Sequence, residues 1–120
     1  MRIIHRLIFS AAALLAAPAF AQSDGQYRQQ LIDALGEAAK GRCSERLMSP
    51  MLQETCEKQM PAMGDAIRGK GAILGATYRG QQQVPGGMAE VYRVKFDRGG
   101  MTWMINLQAD GKIYTLWSPG

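Results

Sequence analysis

The side chains with chemistry to offer here are two cysteines, eight methionines, one histidine, and a few carboxylates and tyrosines. Cys43 and Cys56 lack the C-x-x-C spacing of a redox pair. In an oxidising compartment, two thiols in a small domain pair as one structural disulfide. A bridge closing a loop of this size stabilises by roughly 3 kcal/mol in the chain-entropy model. Met48/Met51, Met60/Met63 and Met101/Met104 repeat an M-x-x-M spacing, and thioethers suit Cu(I). Pro50 and Pro61 interrupt two of those spacings, and a strand sends Met101 and Met104 to opposite faces. A Met-based copper binder is therefore kept as an alternative, and no residue is assigned as a metal ligand. Glu90, Tyr92 and Tyr114 are the polar groups that strand alternation gathers on one apolar face, where a carboxylate at the mouth of a pocket would serve as a base. The opposing reading leaves Glu90 at a frayed strand start, opposite Ala109 and wet. No catalytic constellation stands out and no cofactor is implied, so the chain reads as non-enzymatic.

Compartment follows from the first residues. Arg2, His5 and Arg6 precede an apolar run from Leu7 to Ala17, and Ala19-Phe20-Ala21 has the small-x-small form of a cleavage site. Residues 1–21 read as a secretory signal peptide, and the apolar run is too short to span a bilayer. With no Cys at the cleavage point, no stable membrane anchor is expected after cleavage. The expected mature chain, 22–120, suits one small domain in the periplasm or outside the cell. Losing Arg2 and Arg6 lowers the formal net charge from +4 to +2. No dense basic run remains, which argues against a nucleic-acid partner. His5 leaves with the leader, and with it the commonest acid–base side chain.

Helical spacing occupies the first half. Ser23 reads as an N-cap, and Tyr27, Leu31, Ala34, Leu35 and Ala38 recur on one face of a helix from about Asp24 to Lys40, stopped by Gly41. Ser49-Pro50 begins a second helical segment as N-cap and first-turn proline, with Leu52, Cys56, Met60 and Met63 on one side. Pro61 kinks this segment or ends it and begins another, which runs to about Arg68. After Gly69-Lys70-Gly71, Ala72–Arg79 reads as a strand and Gly80–Gly87 as a polar, mobile loop.

Met88–Ser118 then reads as a three-stranded antiparallel meander. Two-residue turns at Gly99-Gly100 and Asp110-Gly111 would pair Phe96 with Trp103, Tyr92 with Leu107 and Ile105 with Leu116. One face then collects Tyr92, Val94, Phe96, Trp103, Ile105, Leu107, Tyr114 and Leu116, and must be covered. The other carries Arg93, Lys95, Met104, Asn106 and Trp117, a candidate interaction face for a protein partner or a second copy.

The expected architecture is α+β: N-terminal helices packed on one face of a curved four-stranded antiparallel sheet. Gly69 and Gly71 leading into Ala72, the run Val91-Tyr92-Arg93-Val94-Lys95-Phe96, Met101 to Leu107, and Asp110-Gly111-Lys112-Ile113 together resemble the cystatin-like cone superfamily. That superfamily includes nuclear transport factor, ketosteroid isomerase and small secreted bacterial domains. The resemblance implies a sheet wrapped around a helix, a cone able to hold a small apolar ligand, and frequent dimers. A ligand binder or isomerase-like enzyme using the cone interior is the second function it leaves open. It transfers no activity residue by residue.

Overall fold

The computed structural model describes residues 25–120, so the leader and the Ser23 cap lie outside the described residues. Three helices, α1 (Arg28–Ala39), α2 (Pro50–Gln59) and α3 (Ala62–Gly69), precede four strands, β1 (Ile73–Val84), β2 (Gly87–Phe96), β3 (Gly99–Leu107) and β4 (Ile113–Trp117). The strands form one open, curved antiparallel sheet in chain order. The helices cover one face of it, as the α+β reading expects.

The helices form where the spacing places them. Leu31, Ala34, Leu35 and Ala38 are the buried stripe of α1. Ser49 Oγ accepts the Leu52 N–H at 3.2 Å with Pro50 in the first turn, the expected start of α2. Pro61, joined to Met60 by a cis bond, separates α2 from α3. Cys43 and Cys56 are bonded, with Cα atoms 5.9 Å apart, which fastens the segment after α1 to the buried side of α2. Leu31, Leu35, Met48 and Ile67 from the helical layer meet Tyr92, Val94, Phe96, Trp103, Ile105 and Ile113 in one hydrophobic cluster.

Three parts of the strand reading need correction. Gly80–Gly87 is largely strand rather than loop: Gln81, Gln82 and Gln83 pair with Glu90, Ala89 and Met88. Backbone pairing is indifferent to those polar side chains, so only Pro85-Gly86 turns the chain. In β1, register shifts on either side of Leu74 and Arg79 leave both residues outside the pairing and exposed.

The two meander turns also differ from expectation. At the first, Phe96 pairs with Gly99, so Asp97-Arg98 is the two-residue loop and Gly99, with φ +111°, opens β3; at the second, Gly111, with φ +85°, follows Ala109-Asp110 as the last loop residue. Gly111 is the left-handed residue of a three-residue, bulged hairpin. At the first turn the change moves each β2 residue's partner four positions along β3, so Phe96 meets Gly99 and Tyr92 meets Trp103. Tertiary bonds hold the turn there: Asp97 Oδ2 accepts the Ala72 N–H at 3.0 Å, and Arg98 Nε donates to the Gly69 carbonyl at 2.9 Å. An even shift leaves each side chain on its expected face. At the second turn Ile105 pairs with Leu116 as expected, but a bulge pairs Leu107 with Ile113. Ile113 is therefore buried, whereas Tyr114 is only half-buried.

Candidate functional site

Strand β2 carries both candidate sites, one on each of its faces. On the helix side lie Glu90 and Tyr92. The register places Glu90 opposite Ile105 instead of Ala109, which moves it from the end of the sheet into the interior at 4 % exposure. The frayed, wet position expected from the sequence is thus overturned.

The Glu90 carboxylate meets the start of α1. Oε1 accepts the Tyr27 N–H at 2.8 Å, the Gln26 N–H at 2.9 Å and the Tyr92 hydroxyl at 2.7 Å, while Oε2 accepts the Gln26 N–H at 2.8 Å. A carboxylate beside the first turn of a helix also complements the positive end of its dipole. No local side chain caps α1, so Glu90 satisfies these donors from across the sequence. Arg28 stands over the Tyr92 ring at 6.0 Å and donates from Nε to the Ala76 carbonyl at 2.9 Å. Tyr78 meets the same ring edge-on at 5.7 Å. A side chain at Gly25 would collide with the Tyr92 phenol, so glycine is required where the chain passes it.

This geometry anchors the start of α1. Burial raises the pKa of the Tyr92 phenol first, and the hydrogen bond to Glu90 and that carboxylate's charge raise it further, so Tyr92 stays a donor. The donors around Glu90 all belong to the chain itself. Outside them lies a hollow of about 290 Å³ lined by Gln26, Tyr78, Gln81 and Glu90. Tyr114 does not complete the group: its ring lies against Gly86 in the β1–β2 turn, a consequence of the bulge beside it. Trp103 is buried on this face, and its Nε1 has no hydrogen-bond partner among the described residues.

The outward face was expected to present Arg93, Lys95, Met104, Asn106 and Trp117 together. The structure divides them. Met104 and Asn106 are each 7 % exposed and have little surface to offer a partner. Trp117, 53 % exposed, stands on the edge strand and borders two hollows on the helix side, one of about 260 Å³ with Met63, Met101 and Leu116, the other of about 110 Å³ with Met48, Leu52 and Cys56. The Met48/Met51 pair separates as well, since Met48 is buried and Met51 is 69 % exposed. Among the described residues no group of three His, Cys, Asp or Glu could hold a metal ion.

Arg93 and Lys95 remain as a pair, and the fold adds a third cation. They line an open hollow of about 420 Å³ with Thr77, Arg79, Asp97, Gly99 and Gly100. Among the described residues, Arg79, Arg93 and Lys95 have no carboxylate oxygen within 4.0 Å. The helical layer differs, pairing Glu37 with Lys40 and Arg42, Glu54 with Lys58, and Asp65 with Arg68. Arg93 Nη1 donates to Thr102 Oγ1 at 3.1 Å. A Cβ on Gly100 would approach Arg93 Nε and Nη2 to 3.1 Å, so the guanidinium lies across that glycine. Sequence reasoning missed Arg79, Thr102 and Gly100. Arg79 was hidden at the end of a strand whose bulges were unread, and Gly100 looked like a turn residue. No protein-family model, curated protein or solved structure matches the chain, so its site is read from its own geometry.

Proposed function

We propose that this chain is a secreted or periplasmic, non-enzymatic binding module of cystatin-like kind that engages a partner through the outward face of its sheet. The observation that carries this reading is the hollow ringed by Arg79, Arg93 and Lys95, exposed cations without carboxylate partners among the described residues. Interfaces favour arginine, and a hollow in a rigid sheet offers it without loop ordering.

Three further features support the reading. The leader pattern of residues 1–21 and the Cys43–Cys56 bridge fit an oxidising compartment. The helix-facing side of the sheet is filled by Tyr92, Phe96, Trp103 and Ile105, which favours a packed core over a ligand-holding cone. The Glu90 carboxylate is engaged by the chain's own donors, which argues against its service as a base.

Co-purification from the native periplasm tests the proposal. Wild-type protein is expected to retain a partner that Arg93→Glu/Lys95→Glu loses. An unchanged set of co-purified proteins would assign binding elsewhere, first to the Trp117 edge. Light scattering on Trp117→Ala then decides whether that edge joins two copies.

A further inference from the structure

We infer that the hollow beneath Arg79, Arg93 and Lys95 receives an acidic segment of a protein partner, with Arg93 as a positioned fork for one carboxylate. The inference rests on the binding-module reading above and names the chemistry of the partner.

Arg93 is held before any ligand arrives. The bond to Thr102 Oγ1 and the bare backbone of Gly100 beneath the guanidinium fix its plane. One of its five N–H donors is used, and the others stay available for an oxyanion. A pre-oriented fork binds a planar carboxylate in two-point fashion, which a lysine cannot do. Lys95 lies two residues along the same strand face, and Arg79 is carried outward by its bulge, a device that re-aims side chains.

The charge distribution points the same way. Residues 25–69 hold six Lys or Arg and six Asp or Glu, whereas residues 70–120 hold six against three. Of those three, Glu90 is buried, and Asp97, which accepts the Ala72 N–H, is the one carboxylate lining the hollow. Three cations against one carboxylate leave the hollow positive, and anionic groups complement it.

A second copy is a poor occupant, because a two-fold contact through this patch would set the cation cluster of one copy against that of the other. A membrane fits less well than a peptide. Polybasic lipid-binding clusters carry about four to eight cations, and membrane-surface elements add exposed apolar side chains. Here there are three cations, Val94 and Phe96 beneath them are buried, and Leu74 is the one large apolar side chain exposed on β1.

The test titrates a fluorescein-labelled oligo-glutamate peptide into the purified secreted protein at low salt, following anisotropy. Phosphatidylglycerol vesicles and inorganic phosphate form parallel arms. The expected result is peptide binding that Arg93→Lys weakens about tenfold with net charge unchanged, that Gly100→Val weakens comparably, and that Lys112→Gln leaves alone. Thermal melts monitor folding, and Thr102→Val repeats the test if Gly100→Val does not fold. Loss in Lys112→Gln with none in Arg93→Lys overturns the fork, because diffuse attraction follows net charge alone. Vesicle binding without peptide binding overturns the peptide assignment. If the peptide ignores Arg93→Lys while Arg93→Glu/Lys95→Glu still loses the periplasmic partner, the acidic-segment inference fails and the binding face survives. If that partner is also retained, both fail.

Discussion

Glu90 and Arg93 lie on one strand, and their surroundings are opposite. Glu90 points into the helical layer and accepts from two backbone N–H groups and a phenol. Arg93 points away, gives one bond to Thr102, and has no carboxylate within 4.0 Å among the described residues. A buried charge must be matched internally or it opposes folding. An exposed charge left unmatched costs the fold little and stays free for a partner. On the proposed reading, Glu90 serves stability and Arg93 serves recognition, and mutation can test that division.

The largest expected effect is that of Glu90→Leu. It strips the acceptor from Gln26 N–H, Tyr27 N–H and the Tyr92 hydroxyl, and should cost about 3 kcal/mol in urea unfolding. A loss below about 0.5 kcal/mol, the scale of an ordinary surface change, would break the comparison by showing that Glu90 anchors nothing.

Tyr92→Phe removes one bond and keeps the ring, for an expected loss of about 1 kcal/mol. Alkaline pH sharpens this prediction. The folded-state pKa of Tyr92 is raised above its ordinary 10.0, so the stability tied to its protonated form is fully present below that value and lost as pH climbs beyond it. Melting temperature should fall above pH 10 more steeply in wild type than in Tyr92→Phe. Parallel curves would remove Tyr92 as the cause.

The smallest effect on stability is expected from Arg93→Glu/Lys95→Glu, within about 0.5 kcal/mol of wild type, while partner binding disappears. A large drop in stability would show these cations serving the fold and erase the contrast with Glu90.

Much of the fold was legible in the sequence. The apolar stripe Leu31, Ala34, Leu35, Ala38 and the Ser49-Pro50 start were read correctly because helix spacing and capping are local. The inward and outward sets of β2 and β3 were also correct, although the turn was placed wrongly, because an even slip preserves faces. The candidate sites were legible only in part. Arg93 and Lys95 were found by alternation. Met104 and Asn106 shared that alternation and proved buried, since period two says which face a side chain takes and nothing about what covers it.

The sequence alone thus determined the helices, the Cys43–Cys56 pairing, and which side chains of β2 and β3 share a sheet face, all set by local spacing. Only the tertiary structure decided that Glu90 is interior and that Arg79 joins Arg93 and Lys95. Both depend on register, and register was settled by bonds from Asp97 and Arg98 to the distant Gly69–Ala72 segment. Two glycines in a row allow more than one turn, and contacts far along the chain select among them.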